Sequence, residues 1–288
     1  MHTSERSLHS LEKIVAFAAL VAVLALTIGF AQAREPKEVF LRSAVALVQD
    51  ARSGETLIAK NQAAVLPIAS ITKLMTAIVI LDADLNLEQR VVVSDEDYDF
   101  VKGTRSRLRP GTVLTRNDLL LLALMSSENR AAASLARTYP GGTEAFVAAM
   151  NAKAAMLGMT DTRFVDPTGL SPSNVSSARD LAHLVAAAHE YPLIRQYSTT
   201  ESATVQSLGR PLAYRNTNGL VRNSHWDIGL QKTGYINEAG RCLVMRVKLA
   251  SREVIVVLLD SWGKFSRIGD ANRIKKWLES TAAVRPRS

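Results

Sequence analysis

The hydrophobic pattern changes period several times along the chain. Residues 14–33 contain no charge, and Ile14 to Leu26 is almost wholly apolar. Arg6 and Lys13 precede this run, and Ala31-Gln32-Ala33 closes it just before Arg34-Glu35. A basic flank, an apolar stretch and a small-x-small site are the layout of a secretory signal peptide. Cleavage after Ala33 is expected, leaving 34–288 as the mature chain. The alternative is an uncleaved anchor, because the run nearly reaches the ~20 residues of a spanning helix. In both cases the rest of the chain is outside the cytoplasm, where ATP-dependent chemistry is not expected.

Beyond this segment the pattern predicts a β-hairpin, with strands over 44–49 and 56–60 and turn residues Asp50 to Glu55 between them. Ser70 to Leu81 carries Ile71, Leu74, Met75, Ile78 and Val79 at helical spacing. A polar segment broken by Gly103, Pro110 and Gly111 follows. Thr115-Arg116-Asn117-Asp118 reads as a capping box for an apolar helix over 119–125. Ser126 to Asn129 interrupts it, and an Ala-rich helix resumes near Arg130. Thr143 is expected to cap a further helix ending at Gly158. Ser177 and Asp180 open another that stops before Pro192.

The C-terminal part reads as strands over 230–235, 242–250 and 254–260. The second alternates, which predicts one apolar face. The third is continuously apolar, which predicts a central strand covered on both sides. A last helix aligns Ile268, Ala271, Ile274 and Leu278. The expected class is α+β: an antiparallel sheet built from both ends of the chain, with a helical lobe from its middle.

With 288 residues, 47% hydrophobic and 22% charged, the chain can bury a substantial core. Its net charge of +8 suits a polyanionic wall or membrane surface, or simply a solvated exterior. No basic run interleaved with aromatics marks a nucleic-acid partner. Cys242, the one cysteine, lies in an apolar run and is expected to be buried and inert. The five histidines form no His-Glu-x-x-His pair, and His183 and His189 share a helix as structural residues, so no metal site is expected.

Three short motifs carry the candidate chemistry. Ser70-Ile71-Thr72-Lys73 puts a hydroxyl and an amine on one face of a helix start. A serine needs a base to become a nucleophile, and a lysine is a base only when burial or a helix dipole lowers its pKa. By itself this pair also fits a capping serine and a surface lysine. Ser127-Glu128-Asn129 falls at an interhelical break, where a hydroxyl can relay a proton and an amide can hold a carbonyl. An ordinary helix–helix turn would look the same. Lys232-Thr233-Gly234 lies on a strand and offers charge, a hydroxyl and a position where a peptide can lie along the backbone. The next amide, that of Tyr235, is placed to share an oxyanion hole with that of Ser70. A strand entry with a bulge at Gly234 is the bland alternative.

In this order the motifs resemble the signature of penicillin-binding proteins and β-lactamases. Longer stretches are similar to the low-molecular-mass D-alanyl-D-alanine peptidases: Ala64 to Thr76, Asp166-Pro167-Thr168-Gly169-Leu170 and Ser176 to Leu181. Lys102 to Leu108 and Gly229 to Tyr235 resemble the DD-endopeptidases among them. The resemblance implies a penicillin-binding fold, with a five-stranded antiparallel sheet flanked by helices and an adjoining helical lobe. It implies a single domain over 34–288, because only enough chain for two strands and a helix follows Gly234. Ser70 would be acylated, Lys73 would take its proton, and Ser127 would return one to the leaving amine. Asn129 and Thr233 would position the peptide, Lys232 would hold the field positive, and Gly234 and Tyr235 would line the peptide's path. Peptidoglycan stems and β-lactams are the implied ligands, no cofactor is implied, and the expected location is the periplasm, with loose association to wall or membrane left open. A β-lactamase would need a deacylating glutamate, and neither Glu144 nor Glu190 has that context; Asp166 matches the peptidases instead. A non-catalytic wall or antibiotic sensor remains a rival of another class. Arg252 and Arg267 are candidates for a carboxylate that sequence cannot place.

Overall fold

Asp50 caps the amides of Arg52 and Ser53 and Gly54 adopts a left-handed conformation, so the chain reverses where expected. In the computed structural model, which describes residues 39–284, this turn joins β1 (Ser43–Asp50) to β2 (Thr56–Lys60). Residues 1–33, expected from the sequence to be an export signal cleaved after Ala33, lie outside the described residues. A short β3 (Leu66–Pro67) leads into a 3-10 turn, Ala69–Thr72, and then α1 (Lys73–Asp82). Ser70 therefore sits in a 3-10 turn and not in the first α-turn that the spacing predicts. Ala69 is held at φ 48°, so a regular helix cannot run back through it.

The polar segment that follows α1 contains two three-residue strands, β4 (Arg90–Val92) and β5 (Val113–Thr115), paired with each other. The capping box at Thr115 and Asp118 opens α2 (Arg116–Met125) as expected. α3 (Asn129–Arg137) and α4 (Gly142–Met156) complete the lobe. Thr143 is not the cap of α4: Gly141, at φ 83°, occupies that position and Thr143 lies in the first turn.

β6 (Val175–Ser176) pairs with β3, and Ser177 caps α5 (Ala178–His189). Two elements here had no forecast. Pro192 begins α6 (Pro192–Thr199), where its fixed φ suits a first helical position. A hairpin, β7 (Ser202–Ser207) with β8 (Arg210–Arg215), turns on Leu208 and Gly209, both at positive φ.

β9 (Asp227–Ile236), β10 (Gly240–Leu249) and β11 (Arg252–Ser261) are all antiparallel and complete a five-stranded sheet in the order β2-β1-β11-β10-β9. β11 is central, and its side chains alternate between two cores. Ile255, Val257 and Leu259 face the helical lobe, while Val254, Val256 and Leu258 face α7 (Ser266–Val284). Ala271, Ile274 and Leu278 of α7 seal that second core. β10 is covered on both faces too, because Cys242 and Val244 join the lobe-side core; the single apolar face expected for it is corrected. Strand β9 is left as a sheet edge, and that edge faces the 3-10 turn bearing Ser70.

Candidate active site

Two glycines let three backbone segments crowd around Ser70. A Cβ on Gly234 would lie 2.9 Å from the Ile68 carbonyl and 3.1 Å from the Ser70 amide nitrogen. A Cβ on Gly169 would collide with the Ala69 carbonyl, and Gly169 itself is at φ 81°. β9 therefore closes on Ser70 from one side and the 166–170 loop from the other.

That loop is built by one carboxylate. Asp166 Oδ1 accepts from the Thr168 amide (2.6 Å), the Thr168 hydroxyl (2.6 Å) and the Gly169 amide (2.7 Å), and Oδ2 accepts from the Ser171 amide (3.0 Å). Asn174 braces it by donating to Thr72 Oγ1 and the Asp166 carbonyl. The result aims the Thr168 carbonyl at Lys73.

Lys73 is fully buried, and its Nζ lies 2.6 Å from Thr168 O, 2.7 Å from Asn129 Oδ1 and 3.0 Å from Ser70 Oγ. Burial pushes its pKa down to about 8, against the opposing pull of Asp166, Glu128 and Asp99. As an ammonium it donates to all three oxygens. As a neutral amine it has two N–H donors and one lone pair. The two carbonyl oxygens can only accept, so they take the two donors, and the lone pair is left for the Ser70 hydroxyl. The geometry thus favours one direction of proton transfer, from Ser70 to Lys73.

Across the cleft, Ser127 is held at φ 60° in the break between α2 and α3. Lys232 Nζ donates to Ser127 Oγ (2.9 Å) and to the Thr233 carbonyl (2.9 Å). Burial, then the nearby Lys73 and Arg267 charges, hold Lys232 well below the usual lysine range. The Thr233 hydroxyl pairs with that of Thr217 at 2.6 Å.

The structure thus assembles Ser70, Lys73, Ser127, Asn129, Lys232, Thr233 and Gly234 around one cleft. Asn129 is engaged at both ends, since its Nδ2 donates to Thr104 Oγ1 at 3.0 Å. The Tyr235 side chain is exposed, with the Arg241 guanidinium 4.6 Å from its ring centroid and its hydroxyl donating to Asn237 Oδ1. Arg267 reaches the cleft wall, donating to the Gly234 carbonyl (2.9 Å) and the Cys242 carbonyl (3.0 Å). Arg252 is elsewhere, beside Asp50 and Glu55 at the hairpin. Arg107 stacks on Tyr214. Thr168, Thr217 and Thr104 had no assigned role in the sequence reading. Among the described residues no cluster of His, Cys, Asp and Glu could hold a metal ion.

A family model described as D-alanyl-D-alanine carboxypeptidase matches residues 31–263. The chain belongs to this family. Among D-alanyl-D-alanine carboxypeptidase family relatives, a D-alanyl-D-alanine endopeptidase of Pseudomonas aeruginosa is 51% identical, over 85% of this chain and 80% of that protein. One of Escherichia coli is 46% identical, over 97% and 90%. A solved D-alanyl-D-alanine carboxypeptidase of Mycobacterium tuberculosis superposes with a TM-score of 0.77 at 28% identity, covering 88% of this chain and 96% of that one. A DD-transpeptidase of Streptomyces superposes equally well, at 0.77 and 27% identity, covering 84% and 98%. The penicillin-binding architecture expected from the motifs is therefore the fold of this chain.

Proposed function

We propose that this protein is an exported serine DD-endopeptidase that hydrolyses D-alanyl cross-links in peptidoglycan through an acyl-enzyme on Ser70. The observation that carries this reading is the buried Lys73 amine, 3.0 Å from Ser70 Oγ and saturated by two carbonyl oxygens. Ser70 Oγ attacks the D-alanyl carbonyl carbon, and its proton passes to Lys73 Nζ. The backbone amides of Ser70 and Tyr235 receive the oxyanion. As the C–N bond breaks, Ser127, tethered to Lys232, relays to the departing amine the proton that Lys73 took, so that Lys73 is again a neutral amine and Ser127 a hydroxyl. Water then attacks the ester carbonyl and gives a proton to Lys73, which returns it to Ser70 Oγ as the ester C–O bond breaks, freeing Ser70 and completing hydrolysis. Asn129 and Thr233 line the two walls between which the peptide lies. Lys232 holds the Ser127 hydroxyl in place, and Gly234 clears the path.

Identities of 51% and 46% to relatives named endopeptidases support that specificity over carboxypeptidase action, since relatives named carboxypeptidases share 28–33%. Carboxypeptidase action is the second reading, favoured by the description of the family model itself. It uses the same steps with free D-alanine as the leaving amine. We further read residues 1–33 as an export signal, 34–288 as one peptidase domain acting in the periplasm, and β-lactams as covalent inhibitors at Ser70. No helix among the described residues is long and apolar enough to cross a membrane. Intact mass of the mature protein after incubation with benzylpenicillin, followed by peptide mapping, tests the acyl-enzyme. One adduct on the Ser70 peptide, absent from Ser70→Ala, is expected. An adduct elsewhere, or none, would refute it.

A further inference from the structure

The mechanism proposed above leaves unused an ion pair that joins the two walls of the cleft. Asp99 builds its first half. Its Oδ1 accepts from the amides of Val101 (2.9 Å) and Lys102 (2.8 Å), and its Oδ2 accepts from that of Thr104 (2.8 Å). This turn sends the Thr104 hydroxyl inward to Asn129, the partner of Lys73, and sends Lys102 outward. There the Lys102 ammonium meets the Glu238 carboxylate. Glu238 stands in the turn between β9 and β10, just past Tyr235. One wall thus carries Lys73 and Asn129, the other carries Gly234 and Tyr235, and the pair ties them together.

The pair is accessible, with side chains 28% and 41% exposed. Such a pair favours its closed form by no more than about five-fold and weakens with salt. β9 is a sheet edge, so a peptide that adds to it as a further strand runs toward the β9–β10 turn and meets this pair. A carboxylate on that peptide can replace the Glu238 carboxylate on Lys102 like for like. The Asp99 turn fixes the Lys102 backbone, so the ordering left for the substrate to supply is that of the lysine side chain alone. Glu238, once released, is rehydrated at the surface.

Resting on the reading of Ser70 as the acylated residue, we propose that Lys102 is a specificity-determining residue that selects acidic wall peptides, with Glu238 as the resident competitor they displace. The test uses two β-lactams with a common core, whose acyl side chains end in a carboxylate or in its primary amide. The readout is the ratio of their second-order rates of Ser70 acylation, measured on the mature protein at low and high salt. The wild type prefers the acid, and added salt shrinks that preference. Lys102→Gln lowers the acid/amide ratio about five-fold, and Glu238→Gln raises it, while thermal melts confirm that both variants fold. A ratio unmoved by either substitution, or lowered by both, would overturn the inference and leave the ion pair a mere brace. No acylation of the wild type by either probe would overturn the Ser70 reading itself, and this inference with it.

Discussion

The Lys73 amine lies 2.6 Å from the Thr168 carbonyl oxygen, a residue 95 positions away in the chain. That contact occupies one N–H of the amine, Asn129 occupies another, and the lone pair of the neutral form is turned to Ser70. Because burial pushes Lys73 down to about 8, a usable fraction is neutral near neutral pH. The base form dominates above this value and the inert ammonium below it. Acylation by a penicillin should therefore rise with pH, about tenfold per unit below pH 8, and level off above it. Lys73→Arg, which cannot lose its proton in this range, should abolish the reaction. A flat profile between pH 6 and 9 would contradict Lys73 as the base.

Asp166 acts on Lys73 through both charge and structure. Its negative charge favours the ammonium, while its oxygens fold the loop that presents Thr168 O. Asp166→Asn removes the charge, so the ascending limb of the pH profile should move below 8. It also weakens three amide contacts, so the plateau rate should fall. A limb that moves to higher pH would show that the loop, and not the charge, sets the lysine's titration.

Gly169 is the position where the backbone leaves no room. Gly169→Ala places a left-handed conformation on a residue that disfavours it, at a cost of at least about 1 kcal/mol. It also drives a methyl group into the Ala69 carbonyl, next to Ser70. We expect Tm to fall by at least ~2–4 °C and acylation to slow. Unchanged values of both would mean that the loop can move away without consequence.

Cys242 is buried in the lobe-side core, and burial pushes its thiol up to about 11. The thiolate is the reactive form, so a thiol reagent should label none of the native protein at neutral pH and one equivalent after denaturation. Labelling of the native protein at a free-thiol rate would place Cys242 in an accessible setting.

Elements with a strong period or a cap were legible in the sequence. The hairpin at 44–60, the box at Thr115 and Asp118 and the continuous apolar run of β11 each follow from local chemistry. What escaped was too short or lacked a turn signal. β4 and β5 have three residues each, too few to show a period. The β7–β8 hairpin turns on Leu208-Gly209, where an Asn-Gly or Asp-Gly pair would have announced it. The site shows the same division. Ser70, Lys73, Ser127, Lys232 and Gly234 bear side chains, or the lack of one, whose use is written in their type. Thr168 contributes a backbone carbonyl, which every residue possesses, so nothing in its identity marks it. Arg267 could not be placed because only the packing of α7 against β10 brings its guanidinium to the Gly234 carbonyl.

The most direct test is digestion of purified, cross-linked peptidoglycan by the mature protein beside Ser70→Ala, with separation of the released muropeptides. Loss of cross-linked dimers and gain of monomers with the wild type alone is the predicted result. Intact dimers, with pentapeptides shortened to tetrapeptides, would make the enzyme a carboxypeptidase, and no change in either would contradict a DD-peptidase.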